Sequence, residues 1–262
     1  MKYANLGHLK VHYREDGDPN GPALVFANSL GTDLRLWDPL LPYLPRDLRI
    51  IRYDKRGHGL TECPEPPYSM GALVKDAEAL LDHLEVKDCV FVGLSIGGMI
   101  AQGLAVKRLD LMRAMVLSNT AAKIGEPSMW ADRIEAVQRG GIDALAESIM
   151  ERWFSARFCK TDDLMLWRTL LTRQPDKGYM GCSAAISGSD FITPTSGLRL
   201  PTLAIAGSED GSTPPDLVRE TANLIPGSKF ELIREAGHLP CVEKPQDYAK
   251  ILTEFLRSVG HI

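Results

Sequence analysis

Gly93-Leu94-Ser95-Ile96-Gly97-Gly98 runs out of a compact apolar segment, Cys89–Leu94, and straight into a helical pattern over Ile96–Arg108. A serine set between glycines at a strand-to-helix junction has the context of a nucleophile held on a sharp turn. Its backbone must be strained, and small residues two positions away on either side keep the turn free of clashes. The hydroxyl is then lifted above the sheet. The N–H of Ile96, at a helix N-terminus, points the same way and suits a developing oxyanion. The five-residue pattern alone is weak, because glycine and serine are common. The strand before it and the helix after it make it specific for a nucleophilic Ser95.

Outward from this turn, short apolar runs alternate with helical patterns. Lys10–Glu15, Ala23–Asn28 and Arg49–Tyr53 read as strands before the turn, and Arg113–Ser118, Thr202–Ala206 and Lys229–Ile233 as strands after it. Between them, Asp33–Leu44 has helical spacing, Ser69 can cap a helix reaching Leu84, and Pro214–Leu224 and Gln246–Val259 are helical. Such a rhythm predicts an α/β protein with a mostly parallel sheet and helices on both faces. It breaks between residues 121 and 196, where the pattern is helical throughout and three of the four tryptophans (Trp130, Trp153, Trp167) occur. The expected organisation is a core of residues 1–120 and 197–262 with a helical cap inserted at 121–196, since both flanks are needed to complete one sheet.

Composition narrows the function. The 262 residues carry 30 Lys+Arg against 34 Asp+Glu, a formal charge of −4, with 44% hydrophobic and 24% charged residues. That balance argues against a nucleic-acid partner, which needs a basic face, and no basic amphipathic stretch suggests a membrane. The stretch Cys89–Val106 is free of charge, but its glycines, Ser95 and Gln102 fit a buried strand and helix better than a membrane span. Five scattered cysteines without a C-x-x-C pair, and no apolar leader at the N-terminus, lead to the expectation of a cytoplasmic protein with reduced thiols and no zinc site.

A nucleophilic serine needs a base, and the base needs an orienting acid. Of six histidines, His261 is expected at a frayed terminus, His83 on a surface helix, and His8 and His12 ahead of the core. His58 precedes the nucleophile in Arg56-Gly57-His58-Gly59, a turn expected to be held by local hydrogen bonds. His238, in Glu235-Ala236-Gly237-His238-Leu239-Pro240 after the last strand, remains as the base. The acid should lie between serine and histidine in chain order. Gly207-Ser208-Glu209-Asp210-Gly211 offers two carboxylates, and Asp210, later on the turn, is preferred to Glu209. Asp54 comes too early and is expected to pin the Arg56–Gly59 turn. A second oxyanion donor is expected from Asn28-Ser29-Leu30-Gly31-Thr32 after the third strand, at the N–H of Leu30.

With these residues in view, the chain resembles the α/β-hydrolase superfamily over essentially its full length. Within it, Phe26-Ala27-Asn28-Ser29-Leu30-Gly31-Thr32-Asp33, Arg52-Tyr53-Asp54-Lys55-Arg56-Gly57-His58-Gly59, Gly93–Gly103 and Arg152-Trp153-Phe154 look like the 3-oxoadipate enol-lactonases. Most of the superfamily carries His-Gly where this chain has Asn28-Ser29. The resemblance implies an enol-lactone substrate of the β-ketoadipate route of aromatic catabolism, a Ser95–His238–Asp210 triad, an oxyanion hole at Leu30 and Ile96, and no metal, nucleotide or flavin. Esterases, C–C bond hydrolases and hormone-receptor-like binders share the same core. Dehalogenases and epoxide hydrolases of this fold are disfavoured, because they need a carboxylate at position 95.

A lactone with a free carboxylate must find a cation in a dry pocket. The core strands offer none near Ser95, whereas the helical insertion has Lys123, Arg133, Arg139, Arg152, Arg157 and Arg168. Arg133 is expected to take the carboxylate, with Arg152 or Arg157 next, because it follows Trp130 at i,i+3 on one helix face. Trp130 or Trp153 would cover the ring, and Ser29 would line the site beside them.

Overall fold

The computed structural model describes residues 2–262, and its apolar runs form one eight-stranded sheet. The strands are β1 (Lys2–Asn5), β2 (Lys10–Gly17), β3 (Ala23–Ala27), β4 (Arg49–Tyr53), β5 (Cys89–Leu94), β6 (Met112–Ser118), β7 (Thr202–Gly207) and β8 (Lys229–Ile233). Their order is β1-β2-β4-β3-β5-β6-β7-β8. β2 pairs antiparallel with β1 and with β4, and from β4 to β8 every pairing is parallel. All residues of β3, β5 and β7 are buried, as parallel strands covered on both faces must be.

Two helices, α1 (Met70–His83) and α2 (Ile96–Lys107), connect β4 to β5 and β5 to β6. α3 (Pro127–Gly140), α4 (Ala146–Trp153), α5 (Leu164–Thr172), α6 (Asp176–Ser187) and α7 (Ile192–Ser196) all lie between β6 and β7. α8 (Pro215–Asn223) connects β7 to β8, and α9 (Pro240–Glu243) and α10 (Pro245–Ser258) follow β8. Ser69 caps α1 by accepting the Ala72 N–H at 3.2 Å, and Leu73, Ala77, Leu80 and Leu81 bury its inner side. α2 is buried at every position from Ile96 to Ala105. The uncharged stretch 89–106 is therefore β5 and a helix sealed inside the protein. Among the described residues no helix is long and apolar enough to cross a membrane.

Two expectations need correction. Asp33–Leu44 forms two short 3-10 turns, Leu34–Trp37 and Leu41–Tyr43, in place of one helix. Pro39 and Pro42 have no N–H to donate, so a helical ladder cannot continue through them. The apolar spacing is real, since Leu34, Leu36 and Trp37 are buried. His261 is not frayed: it is buried, with Nε2 3.1 Å from the carbonyl of Ala23 on the first parallel strand.

Because β3 to β8 run the same way, the segments after β3, β4, β5, β6, β7 and β8 gather along one edge of the sheet. Ser95, Asp210 and His238 follow β5, β7 and β8 there, beyond the carboxyl ends of parallel strands where sites are usual.

Candidate active site

Ser95 occupies the turn between β5 and α2 with φ 58° and ψ −120°. A non-glycine residue in that region is strained by roughly 1–3 kcal/mol and persists only where its surroundings hold it. Here its N–H donates to the Ser118 carbonyl at 3.0 Å, and its own carbonyl accepts from Thr120 Oγ1 at 2.6 Å and from the Gly98 N–H at 2.8 Å. The glycines are steric necessities. A Cβ on Gly93 would overlap the Gly97 carbonyl, and one on Gly97 would overlap the Ala27 carbonyl of β3.

Asp210 follows β7 and His238 follows β8. Imidazole Nδ1 lies 2.9 Å from Oδ2 and 3.1 Å from Oδ1 of Asp210. Oδ1 also accepts the N–H groups of Ser212 (2.7 Å) and Thr213 (3.0 Å), and Oδ2 accepts Thr213 Oγ1 (2.8 Å) and Asn119 Nδ2 (2.9 Å). Burial alone would raise the Asp210 carboxyl, but the neighbouring His238 and the hydrogen bonds from Asn119 and Thr213 hold it below the usual carboxylate value. Glu209 turns away, accepting the Ala156 N–H at 3.2 Å. The remaining ring nitrogen, His238 Nε2, has Ser29 Oγ at 3.4 Å as its hydrogen-bond neighbour. Ser95 Oγ lines the same cavity but makes no hydrogen bond to His238 among the described residues. Such contacts are often loose in a free site and tighten when substrate binds.

Two backbone donors near this constellation are without an acceptor among the described residues. Within Asn28–Thr32, Gly31 N–H donates to His58 Nε2 at 3.0 Å and Thr32 N–H to the Ser29 carbonyl at 3.3 Å. The N–H groups of Leu30 and Ile96 are bonded to no acceptor among the described residues, and both Leu30 and Ser95 line the cavity. The loop is anchored by Asn28, whose Nδ2 donates to the Tyr53 carbonyl at 2.8 Å while Oδ1 accepts Trp37 Nε1 at 2.7 Å.

The helices between β6 and β7 form the rest of the wall. The cavity, about 100 Å³, is lined by Ser29, Leu30, Ser95 and His238 from the core and by Trp130, Arg133, Arg152, Trp153 and Tyr179 from α3, α4 and α6. The Arg133 guanidinium lies over the Trp130 ring, 4.9 Å from its centroid, and touches Tyr179 OH at 3.5 Å. Neither Arg133 nor Arg152 is paired with a carboxylate among the described residues. Burial, reinforced by the charge of Arg133, lowers the pKa of Arg152. The other cations of the segment face elsewhere: Lys123 pairs with Glu126, Arg139 with Glu135, and Arg168 with Asp143 and Glu147, while Arg157 is exposed.

Several contributors escaped the reading of the sequence. Asn119, directly after β6, ties Asp210 Oδ2 to the Gly237 carbonyl (3.3 Å) beside His238. The polar run Ser118-Asn119-Thr120 at the end of an apolar strand was its only signal. Glu243 accepts hydrogen bonds from the Gly237 N–H at 2.7 Å and Ser155 Oγ at 2.5 Å, steadying the loop before His238. His58 keeps the local bonds expected of its turn, its N–H donating to the Lys55 carbonyl at 3.0 Å and its carbonyl accepting the Thr61 N–H at 3.1 Å, and its Nε2 also accepts the N–H of Gly31, 27 residues away. Asp54 does pin that turn, accepting the Leu60 N–H at 2.9 Å, and also accepts the Leu34 N–H at 2.7 Å and meets His12 Nδ1 at 2.7 Å.

A family model described as the alpha/beta hydrolase family matches residues 24–251. The chain belongs to the α/β-hydrolase family. It is 33% identical to 3-oxoadipate enol-lactonase 2 of Acinetobacter baylyi over 242 residues, 92% of this chain and 90% of that one. It is also 33% identical to 3-oxoadipate enol-lactonase 1 of the same organism, over 93% of this chain and 92% of that one. Among solved structures, the enol-lactonase of Burkholderia xenovorans superposes with a TM-score of 0.94 at 34% identity, covering 98% of this chain and 100% of that chain. This hydrolase thus shares its whole length and its fold with enol-lactonases.

Proposed function

We propose that this hydrolase opens 3-oxoadipate enol-lactone to 3-oxoadipate, in the β-ketoadipate route of aromatic catabolism, through an acyl-enzyme on Ser95. The observation that carries the reading is one small cavity holding a serine, a carboxylate-backed imidazole and two arginines with no carboxylate of their own. Both guanidiniums are half-buried and lack a carboxylate partner, and an anionic substrate supplies one. The volume suits a compact ring better than a long acyl chain. The similarity to enol-lactonases at about a third identity supports the same substrate. The free thiols of buried Cys89, Cys182 and Cys241 support a reducing, cytoplasmic setting.

In this mechanism Asp210 accepts a hydrogen bond from His238 Nδ1–H, which leaves Nε2 able to take the proton of Ser95 Oγ. Oγ attacks the lactone carbonyl, and the N–H groups of Leu30 and Ile96 hold the oxyanion. The ring C–O bond breaks, His238 returns the proton to the departing enol oxygen, and the enol becomes the ketone while still tethered through its acyl chain. Water, activated by His238, then releases the acid from Ser95. The helices between β6 and β7 act as a cap in which Arg133 and Arg152 grip the carboxylate and Trp130 and Trp153 cover the ring, with Ser29 on the core side.

Ultraviolet monitoring of purified protein with freshly generated enol-lactone, beside p-nitrophenyl acetate, tests the proposal. Efficient turnover of the lactone, lost in a folded Ser95→Ala variant, is expected. Turnover of the neutral ester alone would overturn the substrate, and full activity in Ser95→Ala would overturn the nucleophile.

A further inference from the structure

Behind the oxyanion loop stands a buried cation that the mechanism above does not use. Lys55 follows β4 and is 2% exposed. Its Nζ donates to the Ser29 carbonyl at 2.6 Å and the Thr32 carbonyl at 3.0 Å. It has no salt bridge to a carboxylate among the described residues. An ammonium is costly to bury without a counter-ion, so a side chain that merely filled this space would be expected to be apolar.

The partner of Lys55 gives the reason. The Ser29 carbonyl and the Leu30 N–H belong to one peptide group. A charged donor on the carbonyl fixes the plane of that amide and draws electron density toward oxygen, which makes the N–H on the other side a stronger donor. The next peptide is fixed as well, because Gly31 N–H is taken by His58 Nε2. His58 can accept that proton only as a neutral ring, and burial together with the charge of Lys55 keeps its pKa well below the usual histidine value. Of the three N–H groups at Leu30, Gly31 and Thr32, only that of Leu30 is left to face the cavity.

We propose that Lys55 is a positioning residue that clamps and polarises the Ser29–Leu30 peptide, so that Leu30 N–H binds the oxyanion more strongly than the ground-state carbonyl. The proposal rests on the reading of Leu30 as an oxyanion donor, but not on which ester is hydrolysed. It assigns Lys55 to the chemical step, so its removal lowers kcat and leaves KM little changed.

A pH signature accompanies it. Burial brings the Lys55 pKa down to about 8, against the attraction of Cys182 on α6, Asp54 and Asp33. The other groups around it stay out of that range: burial pushes the Cys182 thiol up to about 12, Asp33 is held low chiefly by Arg35, and His58 titrates far below. Above pH 8 the neutral amine keeps its N–H groups and loses its charge, so kcat should decline along an alkaline limb.

The test measures kcat and KM of Lys55→Met and Lys55→Gln on p-nitrophenyl acetate and on the lactone from pH 6 to 10, with circular dichroism and thermal melts to establish folding. Gln keeps a donor and the approximate length without charge, and so stands in if Met does not fold. Losing a whole oxyanion donor costs roughly 10²–10³ in kcat, so losing the group that polarises it should cost about 10- to 100-fold. KM should move less than about twofold and the alkaline limb should vanish, equally for both substrates. Unchanged kcat in a folded variant, or an alkaline limb that survives, would overturn the proposal. Ser95→Ala separates the two levels: if it is inactive while the Lys55 variants are unimpaired, only the role of Lys55 fails. If Ser95→Ala is active, the reading of the site fails with it.

Discussion

Replacing Asp210 with Asn changes one atom and leaves the shape of the turn intact, so its effect can be worked out from the donors around that carboxylate. Oδ1 accepts two backbone N–H groups, from Ser212 and Thr213, which cannot rotate. The amide oxygen of an asparagine must therefore take the Oδ1 place and its NH2 the Oδ2 place. There it would confront Asn119 Nδ2, whose amide can flip only by giving up its contact with the Gly237 carbonyl, and it would confront His238 Nδ1. Thr213 Oγ1 can turn to accept, but the imidazole is left facing a donor. Nδ1 then becomes the acceptor, the proton moves to Nε2, and the ring can no longer take a proton from Ser95. Loss of the correct tautomer costs roughly 10⁴-fold in kcat, about 5 kcal/mol of transition-state stabilisation. The assay is lactone and p-nitrophenyl acetate hydrolysis by Asp210→Asn, with Glu209→Gln as the control, since among the described residues the Glu209 side chain accepts a hydrogen bond from the Ala156 amide and makes none to His238. Activity of folded Asp210→Asn within tenfold of the parent, or a larger loss in Glu209→Gln, would refute the assignment.

Arg133→Met should raise KM for the lactone and leave the neutral ester nearly untouched, because its guanidinium is unpaired in the cavity and stacked on Trp130; equal losses on both substrates in steady-state assays would mark a structural role. Gly97→Ala places a methyl against the Ala27 carbonyl of β3, so chemical denaturation should show a loss of about 1–3 kcal/mol and activity should fall as Ser95 shifts. Asp33 is held below the usual carboxylate value despite its burial, by Arg35 and Gln174. A depressed carboxylate adds stability above its unfolded pKa and loses it as pH falls through the folded one. Thermal melts should therefore drop below about pH 4 in the parent, and less steeply in Asp33→Asn.

The parallel strands were legible because β3, β5, β6 and β7 are apolar runs with little else to be, and the turn at Ser95 because Gly93, Ser95 and Gly97 satisfy a steric requirement that few residues can; β1, Lys2-Tyr3-Ala4-Asn5, has no such run and was not read as a strand. The turns after Asp33 were not legible, since the burial of Leu34, Leu36 and Trp37 imitates an amphipathic helix until Pro39 and Pro42 are weighed against it. His58 and Lys55 were hidden for a different reason. Their partners, Gly31, Ser29 and Thr32, are backbone groups brought beside them only because β3 and β4 pair in register, Ala27 opposite Tyr53. A side chain that bonds to distant backbone leaves no spacing pattern in the sequence. Arg133 could be ranked from its i,i+3 relation to Trp130, while the inward turn of Arg152 depended on how α4 docks.

That docking links the two halves of the site. The last turn of α4 leaves carbonyls without helical partners, and two of them are taken up by the loops that carry Asp210 and His238. Gly211 N–H donates to the Arg152 carbonyl at 3.1 Å, and His238 N–H to the Trp153 carbonyl at 2.8 Å. The residue that offers its guanidinium to the cavity thus holds the Asp210 loop through its backbone, and the tryptophan that walls the cavity holds the imidazole in the same way. Side-chain substitutions at 152 and 153 keep these backbone bonds, so they should alter which substrates are accepted more than how fast the ester bond is broken. A proline at 211 removes its N–H and should do the reverse. In the proposed mechanism, selectivity resides in the side chains of this segment and alignment in its main chain.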